Sequence, residues 1–221
     1  MNLKDYEYYR TDLGVLYCGD CLEIMPHLDP VDLVLTDPPY NCGKDYGEYK
    51  DNRPKDDYES WMHELSIESR KLAQNQAWIA PRYKLNFFLT IFEDAHLIVI
   101  RRGARGPFRQ GWSDQFEIAL AVGKPNKCEV DLWDDIRLKG EGYFFRENTF
   151  DYPGYTPFPI MQRFVSLLST DSVLDIFMGT GTTAMACERL KRRWIGIEIE
   201  EKYCAIAKKR IEAERKQLKL F

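Results

Sequence analysis

At 221 residues the chain has the length of one compact domain, and it contains no run of about 18 apolar residues that could cross a membrane as a helix. Its 44% hydrophobic and 30% charged residues are those of a globular protein, not a disordered one. The formal net charge of −4 excludes a protein that holds polyanions by overall charge and leaves that work to local basic patches.

Short apolar runs alternate with helical patterns, which predicts an α/β domain spanning residues 1–221. Val15 to Cys18 reads as a strand, Asp20 to Leu28 as a short helix, and Val31 to Thr36 as a second strand that ends on Asp37-Pro38-Pro39-Tyr40. Residues 41–57, rich in Gly, Asn, Asp, Lys and Tyr, are expected to form a mobile loop. Asp57 to Gln74 has helical spacing with Trp61, Leu65 and Leu72 on one side. A strand over 77–80, a helix over 83–92 and strands over 97–101 and 116–122 follow, with a Gly- and Arg-rich turn between the last two. Residues 123–155 are irregular, charged and aromatic, and read as an insertion. Beyond it come a helix over 157–168, a strand over 172–176, a glycine turn, a helix over 182–191, a strand over 194–199 and a basic closing helix over 200–217, whose Lys208, Lys209, Arg210, Arg215 and Lys216 read as a solvated helix end.

The N-terminal segment MNLKDYEYYR has no apolar stretch of a secretory signal, so the six scattered cysteines are expected to be reduced thiols of a cytoplasmic protein. Cys18 and Cys21 form a CxxC pair with no second pair at zinc spacing, and no metal is expected.

Two motifs carry chemistry. In Asp175-Ile176-Phe177-Met178-Gly179-Thr180-Gly181 a carboxylate ends a strand, and the glycines let the backbone approach a ligand closely. Glu198, at the end of the next strand about 20 residues on, can accept hydrogen bonds from ribose hydroxyls. The spacing suits a nucleoside cofactor, and by itself leaves NAD or a plain tight turn open. In Thr36-Asp37-Pro38-Pro39-Tyr40, the prolines stiffen a loop whose carbonyls have no competing local N–H groups. Asp37 and the Pro38 carbonyl could each accept a hydrogen of one amino group, turning its lone pair toward an electrophile, while Tyr40 offers a face for a flat ring. An Asp-initiated proline turn with a packed tyrosine is the structural alternative.

With both motifs in view, the chain resembles the amino-group DNA methyltransferases, in the circularly permuted beta group in which the DPPY-type motif precedes the cofactor motif. The resemblance rests on three blocks in order, GDCLEIMPHLDPVDLVLTDPPYNCG, HLIVIRRGARGPFRQGWSDQFEIALAVGKP and YTPFPIMQRFVSLLSTDSVLDIFMGTGTTAMACERLKRRWIGIEIEEKYCAIAKKRI. It implies the Rossmann-like fold of S-adenosylmethionine-dependent methyltransferases, with a seven-stranded, mostly parallel sheet, and S-adenosylmethionine as cofactor. By motif it places Asp175, Phe177, Gly179 and Gly181 along the methionine part, Thr182 and Thr183 at its carboxylate, Glu198 on the ribose, Asp20 and the Cys21 backbone at the adenine, and Asp37, Pro38, Pro39 and Tyr40 around the target base. Asp in the first motif position goes mostly with adenine N6 in that family, and cytosine N4 is the alternative.

The implied partner is double-stranded DNA. Arg101, Arg102, Arg105 and Arg109, clustered in a Gly-containing turn, are candidates for phosphate contacts, with a solvated turn as the alternative. Lys124, Lys127, Arg137 and Lys139, interleaved with Trp133, Tyr143, Phe144 and Phe145 in the insertion, are candidates for nucleic-acid contacts, with a small satellite core or a dimer contact as the alternatives. The sequence departs from the family where a Lys-Pro or His-Pro element often opens the helix before the cofactor strand; here Thr156-Pro157 stands instead, without a charge. The insertion expected to read DNA is short, which makes a homodimer an expectation too. A non-catalytic DNA-binding module of the same fold would be expected to lack one of Asp37, Tyr40, Asp175 or Glu198, and all are present.

Overall fold

The computed structural model describes residues 2–47, 49–101, 116–127, 129, 131–134 and 156–218, and the backbone of 108–109 and 112–113. The strands are β1 (Glu7–Arg10), β2 (Gly14–Cys18), β3 (Leu33–Thr36), β4 (Asn75–Ala80), β5 (His96–Arg101), the short hairpin β6 (Phe108–Arg109) and β7 (Trp112–Ser113), β8 (Phe116–Val122), β9 (Leu132–Trp133), β10 (Ser172–Asp175) and β11 (Arg193–Glu198). The helices are α1 (Cys21–Ile24), α2 (Lys55–Leu72), α3 (Leu85–Ile91), α4 (Phe158–Leu168), α5 (Thr182–Leu190) and α6 (Glu201–Leu218). Nine strands form one sheet in the order β1-β2-β11-β10-β3-β4-β8-β5-β9, so the expected seven become nine. The inner seven are parallel except β8, and edge strands were added by β1, antiparallel to β2, and β9, parallel to β5. Both additions are too short for their alternation to stand out in the sequence.

Side chains alternate between two cores, as the strand period of two requires. Leu16, Leu33, Leu35, Val173 and Ile79 face α4, α5 and α6. Val15, Tyr17, Val34, Trp78, Leu174 and Ile197 face α1, α2 and α3. Helices on both faces bury the sheet, and leave the carboxyl ends of β2, β11, β10, β3 and β4 along one edge, where open α/β sheets bind ligands.

Three expectations from sequence are corrected here. Residues 41–47 and 49–53 are loop, but pinned loop. The buried Asp51 carboxylate accepts the backbone N–H groups of Asn41, Cys42 and Lys44 at 2.7, 2.9 and 3.1 Å. Asn41, in the left-handed region, exchanges side-chain hydrogen bonds with the Arg53 backbone. The closing helix is not simply a solvated basic end. Arg210 is buried and donates to the Thr180 carbonyl at 2.7 Å and to its hydroxyl at 2.5 Å, holding the glycine turn from behind, while Arg215 pairs with buried Glu188 at 3.0 Å. Within the presumed insertion, Trp133 of β9 belongs to the core, its ring centroid 4.5 Å from that of Phe164.

Candidate active site

At the carboxyl edge the two motifs are joined by a buried carboxylate. Asp175, at the end of β10, accepts the Thr36 hydroxyl from β3 at 2.8 Å and the Thr183 hydroxyl from α5 at 2.6 Å, as well as the Phe177 backbone N–H at 3.1 Å. Its burial raises its pKa to about 6, against the pull of those donors. Asp175 thus fixes β3 to α5 rather than presenting itself to the cleft. Gly179 and Gly181 adopt φ of 51° and 85°, and a Cβ on Gly181 would come within 3.0 Å of the Ala207 side chain of α6, so the turn can be this tight only with glycine there. Thr182 and Thr183 are buried, and their hydroxyls face Arg210 and Asp175.

Glu198, at the end of β11, accepts the Gly179 N–H at 2.8 Å and the Glu200 N–H at 2.9 Å, and burial raises its pKa to about 7. It lines a cleft of about 660 Å³ of empty space, partly open to solvent, together with Gly19, Asp20, Cys21, Ile176, Phe177, Ile199, Asp37 and Pro39. The Asp20 carboxylate caps α1 by accepting the Leu22 N–H at 2.8 Å. Asp175, Gly179, Gly181, Thr182 and Thr183 stand behind this cleft, outside its lining. The remaining wall was not foreseen: Tyr46, Tyr49 and Arg53 from the pinned loop, Trp61 from α2, and Glu200 and Tyr203. The Trp61 and Phe177 rings meet edge-on at 5.6 Å, Tyr49 stacks on Trp61 at 5.9 Å, and the Arg53 guanidinium lies 4.7 Å from the Trp61 ring. Glu200 ties the loop to this wall by accepting the Tyr49 N–H at 2.7 Å. Trp61 was read from helical spacing as a core position, and spacing alone cannot tell a core face from a cleft face.

At the catalytic end, the Tyr40 hydroxyl and the Thr156 hydroxyl both donate to Asp37, Tyr40 to one oxygen and Thr156 to the other, the latter at 2.7 Å. Burial, with the Asp37 charge beside it, pushes the Tyr40 phenol well above its ordinary pKa and keeps it a neutral donor. A carboxylate has about four acceptor positions, so Asp37 can hold both hydroxyls and still accept a substrate N–H. The Tyr58 hydroxyl of α2 donates to the Pro39 carbonyl at 3.0 Å and fixes the loop. Thr156 marks the departure from the family's charged element, and its hydroxyl serves to orient Asp37. Thr156→Val is expected to lower kcat by about tenfold or more, the worth of one hydrogen bond to a charged group, with the cofactor KM unchanged and Thr156→Ser restoring activity; steady-state kinetics of the three proteins give the split.

Of the cations proposed to meet DNA, Arg101 ends β5 on the catalytic edge. Arg102 and Arg105 lie outside the described residues, and of Arg109 only the backbone, in the β6–β7 hairpin, is described. Arg137 and Lys139 are likewise outside. Lys124 and Lys127 stand apart from Arg101. They follow β8, whose Val122 pairs with Gln76 at the start of β4, and the Lys124 N–H is held by Asn75. Because β8 runs against β4, this places them at the edge of the sheet opposite Asp37.

The sequence model of the DNA methylase family, the N6/N4 amino methylases, matches residues 31–100 and 113–209, and the chain belongs to that family. The type II methyltransferase M.HpaI of Haemophilus parainfluenzae is 25% identical over 240 residues, covering 90% of this chain and 74% of that protein. The type II methyltransferase M.ScaI of Streptomyces caespitosus is 26% identical over 262 residues, covering 96% and 85%. Among solved structures, the PvuII DNA methyltransferase, described as cytosine-N4-specific, superposes with a TM-score of 0.74 at 19% identity over 97% of this chain and 90% of that one. M1.HpyAVI in its SAM complex gives 0.61 at 22% identity over 89% and 98%. The fold is therefore that of these DNA methyltransferases, one of which is described in complex with S-adenosylmethionine. The cleft suits that cofactor: aromatic faces for a nucleoside, a buried carboxylate for ribose hydroxyls, and the carboxylates of Asp20, Glu198 and Glu200 for a cationic ligand.

Proposed function

We propose that this DNA methylase transfers its methyl group to the N6 amino nitrogen of adenine in double-stranded DNA, on a base turned out of the helix. The observation that carries the reading is that Asp37 and Pro39 of the Asp37–Tyr40 loop open into the same cleft as Glu198 and Phe177. When bound, S-adenosylmethionine supplies an electrophilic methyl group. Glu198 would hold the ribose, Asp20 and the Cys21 backbone the adenine, and the rings of Phe177, Trp61 and Tyr49 would exclude water from it. Asp37 and the Pro38 carbonyl would each accept one amino hydrogen of the target base. Methyl transfer to the amino nitrogen would leave the cofactor as its thioether, and Asp37 would take up the proton that the nitrogen sheds and pass it to solvent. Tyr40 would stack on the extruded base, worth roughly 1–3 kcal/mol.

The choice of adenine rests on Asp37 in the first motif position. Cytosine N4 is the second reading, favoured by the likeness to a structure described as cytosine-N4-specific. Plasmid methylated by the protein, digested to nucleosides and weighed by mass spectrometry, is expected to yield N6-methyladenine. Methylcytosine as the sole product would overturn the adenine reading and leave the family assignment untouched.

A further inference from the structure

The catalytic edge carries a second group of residues beside the Asp37 loop. β3, β4 and β5 point their carboxyl ends the same way, and β8 starts there because it runs against β4 and β5. The register pairs Ala80 with Ile118 and Arg101 with Phe116. Phe116 and Arg101 therefore stand just beyond the end of β4, level with the Arg82-Tyr83 turn that leaves it. The Arg82 guanidinium lies 5.8 Å from the Phe116 ring. Tyr83 is 55% exposed and Phe116 39%, so both present ring surface at this lip. Arg82 and Arg101 are exposed as well.

The turn is mechanically tied to the catalytic loop. The Lys84 ammonium sits 4.7 Å from the Tyr58 ring, and the hydroxyl of Tyr58 holds the Pro39 carbonyl. Tyr83 also lies near enough to Tyr40 and Tyr58 for its phenol to act on both electrostatically. In a chain of net charge −4, three cations and two exposed rings concentrated at one lip of the site are a local reversal of charge. Cations interleaved with rings match an unstacked nucleic-acid strand, whose phosphates take the guanidinium groups and whose bases take the aromatic faces.

We infer that Arg82, Tyr83, Phe116 and Arg101 form a platform for the target strand next to the extruded nucleotide, with Tyr83 stacking on a neighbouring base and Arg82 and Arg101 on its phosphates. This rests on the DNA methylase reading of the site. The test measures transfer of labelled methyl groups to plasmid DNA at several salt concentrations, for the wild-type protein and for Tyr83→Ala, Tyr83→Phe and Arg82→Ala. Tyr83→Ala is expected to raise the KM for DNA by about 5- to 100-fold, as expected for a lost base–aromatic stack, and Tyr83→Phe to restore it. Arg82→Ala is expected to weaken DNA binding and to reduce the slope of log affinity against log salt by about one. S-adenosylmethionine affinity, measured by calorimetry, should stay within about twofold in all three, which also reports that they fold. Unchanged KM and salt slope in both alanine variants overturn the platform. So does a fall in molecular mass without a change in salt slope, which would make the lip a contact between two copies of this chain. Failure of the underlying reading looks different, because the wild-type protein would then label no DNA at all.

Discussion

Asp37→Ala is expected to reduce kcat by at least about 10³-fold while leaving S-adenosylmethionine affinity within about threefold. Removing one preorganised polar partner of a developing charge costs about 10²–10³ in rate, and here the lost group is itself charged. Asp37 lines the cleft together with Asp20, Phe177 and Glu198, and the cofactor contacts proposed for those three do not pass through it, so they are expected to survive its loss. Asp37→Asn separates charge from shape. Its side chain keeps one acceptor oxygen, but its amide would have to face either the Tyr40 or the Thr156 hydroxyl, both of which now donate to the carboxylate. One hydroxyl must then turn round and accept, and an intermediate loss of about 10² follows. Single-turnover transfer and calorimetric titration of the cofactor measure the two effects separately. Substantial residual turnover in Asp37→Ala would remove Asp37 from the chemistry and leave the loop as a structural proline turn.

The parallel core was legible because its strands carry strong apolar runs: β3 and β10 are buried throughout, and each ends on a motif with its own chemical signature. β1 and β9 escaped notice because two to four residues give no period to read. The site was legible in its motifs and illegible in its joins. Nothing in the spacing of Thr36, Asp175 and Thr183 says that one carboxylate ties the two motifs together across a sheet. Thr156 lies 119 positions from Asp37 in sequence, and its contact exists only because α4 begins beside the end of β3. Arg210 was misread for the complementary reason: a cationic residue in a basic helix looks solvated until the glycine turn it binds is seen to pack beneath it. Composition alone likewise described the loop after Tyr40 as free chain, whereas a single aspartate, Asp51, satisfies three of its N–H groups.

Glu198 gives the largest expected effect on cofactor binding. Its oxygens already accept the Gly179 and Glu200 N–H groups, so Glu198→Ala removes the acceptor proposed for the ribose and also strands two backbone donors in a buried turn. A fall in S-adenosylmethionine affinity of about 10²–10³ is expected, the sum of two hydrogen bonds to a charged group. The wild-type protein should also show a pH signature. Burial holds the Glu198 carboxyl at about 7 in the free protein, so near neutrality it is partly protonated. Hydroxyl donors from a bound ribose and a cationic ligand both favour the ionised form and lower that pKa, so binding releases a proton. Affinity should therefore rise with pH up to about 7 and level off above it, with about tenfold weaker binding at pH 6 than at pH 8. Calorimetry in two buffers of different ionisation enthalpy counts the protons released directly. Glu198→Gln, which cannot ionise, should bind weakly and show no such rise; a wild-type affinity that is flat from pH 6 to 8 would mean that Glu198 does not meet the cofactor.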